Sequence, residues 1–121
     1  MTPFEVNIEF KDDFAVMKLS GSSTAVSKQS EDVINLRDEF KKIVKDKNYT
    51  NVIVDLYNVE YIASDTIGAI LSGNSMINKA GGKLVLCRPS SYVSKIFEIV
   101  KLSDVLPILS TYEDAVEEIK K

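Results

Sequence analysis

The chain has 121 residues, 45% apolar and 27% charged, which suits one domain over residues 1–121 with a single core. Its formal charge of -3 argues against nucleic acid and against a polybasic membrane contact. With no histidine and one cysteine, Cys87, it has no His-based metal site, no His-activated nucleophile and no internal disulfide.

Residues 4–10 alternate apolar and polar, with Phe4, Val6, Ile8 and Phe10 against Glu5, Asn7 and Glu9. That is the period of a strand with one wet face. Lys11, Asp12 and Asp13 make a turn, and residues 14–19 read as its hairpin partner. Residues 20–30 are serine-rich and read as a loop. Residues 31–45 follow helical spacing, with Val33, Ile34, Leu36, Phe40, Ile43 and Val44 on or near one face. Residues 52–56 are a short β-branched run that fits a central strand.

A short loop then leads to a helix that opens at Ser64, with Ile67, Ile70, Leu71 and Ile77 as its inner stripe. Gly81 and Gly82 stop it. Residues 83–87 read as a buried strand. Pro89, Ser90 and Ser91 open a third helix with Val93, Ile96, Phe97 and Val100 inside. Residues 107–109 look like a short edge strand. Thr111 caps a last helix over residues 112–120, with Glu113 and Asp114 where the helix dipole favours them. The expected fold class is α/β, with a mixed sheet of four to five strands and about four helices, ordered β-β-α-β-α-β-α-(β)-α.

Ser64 carries the functional question. A hydroxyl at a helix start is either a plain cap or a place for a phosphate, because that end has free N–H groups and the positive end of the dipole. Asp55 ends the central strand, and its pairing with Asp65 as a metal or acid/base site lacks a third ligand. Gly81 and Gly82 precede no Walker-type lysine, so they are not a phosphate loop. No stretch approaches the roughly 18 apolar residues of a membrane span. The N-terminus does not read as a secretory signal, so a cytoplasmic location is expected.

The run Asp55-Leu-Tyr-Asn-Val-Glu-Tyr-Ile-Ala-Ser-Asp-Thr-Ile-Gly68 resembles the signature of STAS domains, the anti-sigma factor antagonist family. Leu19-Ser-Gly21, Pro89-Ser-Ser-Tyr-Val93 with Phe97 and Leu102, and Tyr112-Glu-Asp-Ala115 extend the likeness over nearly the whole chain. The resemblance implies a STAS-like domain that binds an anti-sigma factor serine kinase and is switched by phosphorylation. Counted back from Gly68, the family's phosphoserine falls on Ser64. Ala63, Asp65 and Thr66 depart from the family pattern around it. The implied contact surface comprises Ser22, Ser23, Thr24, Ala63, Asp65, Thr66 and an exposed Ala69.

On this reading the protein has no catalytic residue, no metal and no cofactor. It is a monomer or weak dimer that does not insert into membranes. The alternative of the same fold is a non-phosphorylated scaffold or an accessory subunit of a stress-sensing or membrane-transport complex. A nucleotide hydrolase built on Ser64 and Asp55 is the third class, opposed by the missing histidine and phosphate loop.

Overall fold

A computed structural model describes residues 3–22 and 31–121. The alternating N-terminal run forms β1 (Glu5–Phe10), antiparallel to β2 (Ala15–Ser22). The Lys11 N–H donates to the Phe14 carbonyl at 2.8 Å and closes their turn. Next come α1 (Glu31–Lys41), which runs on into a π-helical turn (Lys42–Asp46), and β3 (Asn51–Tyr61). They are followed by α2 (Ser64–Lys79), β4 (Lys83–Cys87), α3 (Ser91–Ile99), a 3-10 turn (Leu102–Asp104), β5 (Ile108–Leu109) and α4 (Tyr112–Ile119).

The five strands lie in the order β1-β2-β3-β4-β5, and β2 through β5 are parallel to one another. Parallel neighbours in sequence order need right-handed crossovers, which put α1, α2 and α3 on the same face. The core divides accordingly. Met17, Val52, Val54, Leu56, Leu84 and Leu86 pack with Leu36, Phe40, Ile70, Ile77 and Phe97 on that face. On the other face, Val16, Ile53, Val85 and Cys87 pack with Ala115 and Ile119 of α4. Each central strand is apolar on both sides, which is why its sequence is a continuous apolar run and not an alternation.

Local chemistry sets the boundaries. Gly81 takes φ 87°, and the Gly82 N–H reaches back to the Ile77 carbonyl at 2.9 Å, so α2 ends in a glycine C-cap. Ser90 and Thr111 accept from the N–H groups of Val93 and Asp114 and cap α3 and α4.

Three expectations need correction. β3 does not stop at Leu56 but continues to Tyr61. Ile34 and Val100, expected on inner faces, are 44% and 50% exposed. Val100 lies past the end of α3, where the helical spacing no longer applies.

Candidate functional site

The site forms where β3 outruns β4. The β3–β4 ladder ends at Asp55 opposite Cys87, and beyond it β3 is paired to β2 alone. Lys18 faces Asp55 but Ser20 faces Asn58, and Gly21 faces Val59 but Ser22 faces Tyr61. Each step gives β3 one more residue than β2, so β3 carries two bulges between Asp55 and Ser64. A bulge bends a strand and re-aims the side chains after it. Val59 therefore points back into the helical core, while Glu60 and Tyr61 stay exposed.

Asp55 anchors the first bulge. The residue is 3% exposed, and its carboxylate accepts the Tyr57 N–H at 3.1 Å. Arg88 donates to both carboxylate oxygens, through Nε at 3.1 Å and through its terminal nitrogen. The guanidinium also lies 4.4 Å from the centre of the Tyr57 ring. Hydrogen bonding to Asp55 raises the Arg88 pKa further and keeps it charged. Arg88 has φ 56°, an uncommon conformation for a residue with a Cβ. Burial, and then the Asp55 charge, push the neighbouring Cys87 thiol up to about 12, so it is neutral at ordinary pH. Asp55 is thus engaged in tying the middle of β3 to the residue that follows β4.

The serine lies on the next element. Ala63, in extended conformation at φ -89° and ψ 158°, occupies the N-cap of α2 without a side-chain cap. Its carbonyl accepts from the N–H groups of Thr66 and Ile67, both at 3.1 Å. Ser64 is therefore the first helical residue and not the cap, and it is exposed. Its hydroxyl stands in the positive end of the helix dipole. Asp65 beside it is half-buried.

Other parts of the expected contact surface fall differently. Thr66 and Ala69 are both 0% exposed. They share the α2 face of Gly73, whose position is filled by the Phe40 ring of α1, so they cannot meet a partner in this form. Ser22 and Ala63 are each 8% exposed, and the Ser22 hydroxyl donates to Glu60 at 3.1 Å. Ser23 and Thr24 lie outside the described residues.

An aromatic pair was missed. Tyr61 at the end of β3 and Tyr92 in the first turn of α3 stack with ring centroids 5.8 Å apart. They remain 38% and 52% exposed. Two residues, Ile62 and Ala63, separate Tyr61 from Ser64, so the pair lies close to the serine along the chain. A tyrosine one position into a helix with no apolar neighbour before it was the available signal. Among the described residues, no group of three or more acids or cysteines is placed to hold a metal ion.

A family model for the STAS domain matches residues 5–115. The chain belongs to the STAS domain family. A Thermotoga maritima protein named among anti-sigma factor antagonists is 30% identical over 86 residues, covering 68% of this chain and 76% of its own. The structure of the anti-sigma factor antagonist SpoIIAA in its unphosphorylated form matches with a TM-score of 0.68, at 18% identity and 98% coverage of both chains. The phosphorylated form of SpoIIAA from Bacillus matches with a TM-score of 0.67, at 17% identity over 97% of this chain and 99% of that one. This STAS domain therefore has the mixed five-stranded sheet and four helices of its structural neighbours. No described helix is long and apolar enough to cross a membrane.

Proposed function

We propose that this STAS domain is an anti-sigma factor antagonist that binds an anti-sigma factor serine kinase and is released by phosphorylation of Ser64. The observation that carries the reading is the exposed Ser64 hydroxyl at the first position of α2. The names of its relatives support an anti-sigma factor as the partner, and its being a serine kinase follows from the family resemblance alone. The chain itself acts by contact and needs no catalysis of its own.

The contact face consists of Ser64 and Asp65, bordered by Glu60, Tyr61 and Tyr92. Tyrosines give large contact area at small entropic cost and are common anchors of protein interfaces. With Ser64 unmodified, the serine itself adds no charge to that face. Phosphorylation transfers the terminal phosphoryl group of the kinase's ATP to the Ser64 oxygen, and ADP leaves. The new group carries about -1.5 to -2 charges and three acceptor oxygens. The helix end tolerates it. A partner packed flush over it does not, because an unpaired buried charge costs roughly 3–5 kcal/mol. Asp65 adds a fixed negative charge to both forms and biases partner choice.

The test is affinity for the anti-sigma factor kinase of the same genome, measured with wild type, Ser64→Ala and Ser64→Asp. The reading expects the first two to bind and the third to fail. Equal binding by all three fits instead a constitutive scaffold and overturns the switch.

A further inference from the structure

β1 forms one edge of the sheet. Its pairing with β2 runs from Glu5 opposite Ser20 to Phe10 opposite Ala15 without a bulge. A straight six-residue edge turns alternate N–H and C=O groups outward, which is the template a further strand uses. Beside it runs a groove of about 370 Å³. Phe4, just before β1, and Val6 of β1 line one side, and a stripe of α1 formed by Asp32, Asn35, Asp38 and Glu39 lines the other.

The charges on that wall decide what fits. Lys42 lines the groove and is tied to Glu39 at 3.5 Å. Among the described residues, no ion pair reaches Asp32 or Asp38, and Asp38 is exposed. A second copy is a poor occupant. The residues that this edge segment turns toward the helical core are Phe4, Val6 and Ile8, so a second β1 edge brings no cation to Asp32 or Asp38.

We propose that the β1–α1 groove binds an extended basic segment of a partner protein, which joins the sheet as a sixth strand. Lysines or arginines at alternate positions face α1. Their aliphatic stems lie over Phe4 and Val6, and their charged heads reach Asp32 and Asp38. This surface belongs to the sheet edge and does not rest on the Ser64 reading.

The test uses the full chain, isotopically labelled for nuclear magnetic resonance, and a capped synthetic peptide of alternating lysine and valine. An alternating glutamate and valine peptide is the control. The proposal expects saturable shifts in the amides of residues 4–10 and 32–42, slower exchange of outward β1 amides, and no response to the acidic peptide. Asp38→Lys, at an exposed position, weakens binding by roughly tenfold, the loss of one charged contact. Asp32→Asn weakens it in the same direction. Shifts confined to other residues, equal binding of both peptides, or an unaffected Asp38→Lys variant would overturn it. So would β1 shifts that follow protein concentration without peptide, which would make a second copy the occupant.

Discussion

Asp55 and Arg88, 33 residues apart in the chain, meet as a two-point ion pair across the last rung of the β3–β4 ladder. The pair ties β3 to the end of β4 at the point beyond which β3 runs on toward Ser64. Removing the cation leaves the carboxylate of Asp55, a residue 3% exposed, with the Tyr57 N–H and the neutral Cys87 thiol as its partners among the described residues. Arg88→Ala is expected to cost about 2–3 kcal/mol. That is below the roughly 3–5 kcal/mol of a fully buried pair, because Arg88 keeps about a third of its side-chain surface in water. Urea denaturation measures it. Arg88→Lys recovers part of the loss, since an ammonium cannot reproduce the fork.

The Cys87 thiol gives a pH signature. It titrates at about 12 in the folded chain, raised by burial and the Asp55 charge from an ordinary value of 9.0. A raised folded pKa stabilises the fold fully below the ordinary value, and that contribution is lost as pH climbs from 9 toward 12. Wild type is therefore expected to lose stability more steeply over that window than Cys87→Ala. Parallel denaturation curves at several alkaline pH values check this, and identical slopes would contradict it. A thiol reagent at pH 8 should label Cys87 only as fast as the chain unfolds.

The glycines of α2 separate packing from propensity. A Cβ at Gly73 would stand 2.6 Å from the Phe40 ring, whereas one at Gly68 would meet nothing within 4 Å. Gly73→Ala is expected to destabilise by about 1–3 kcal/mol through overpacking. Gly68→Ala is expected to stabilise by up to about 1 kcal/mol through helix propensity. Thermal melts of the two variants should move in opposite directions.

Much of this architecture is legible in the residues. The apolar runs at 52–56 and 83–87, the glycine stop at Gly81 and the caps at Ser90 and Thr111 all act locally, and the structure keeps them. The helix start at Ser64 is equally local. The extension of β3 to Tyr61 was hidden because two bulges break its period of two. The Asp55–Arg88 and Tyr61–Tyr92 contacts join residues far apart in the chain, and no local pattern encodes them. Ala69 was misplaced because alanine is neutral to the pattern. The approach of Phe40 to Gly73, and the shared core of Ala69 with Leu36 and Phe40, place this face of α2 against α1.

Ser64→Asp and Tyr92→Ala should leave the fold intact and affect binding. An acid in the first turn of a helix is favourable by about 0.3–1 kcal/mol, so Ser64→Asp should not lower stability. The same change should weaken the proposed complex with the anti-sigma factor kinase by roughly a hundredfold or more, since each tenfold is about 1.4 kcal/mol. Tyr92→Ala removes a half-exposed ring and should weaken the complex by roughly tenfold. Calorimetric titration and melting curves on the same samples separate the two effects.

The most direct measurement is the mass of the protein isolated from the cells that make it, with peptide mapping and a Ser64→Ala control. The account predicts an adduct of about 80 Da, one phosphate group, on the peptide holding Ser64 and absent from the control. An unmodified Ser64 under every growth and stress condition would contradict it and leave a constitutive binding module in its place.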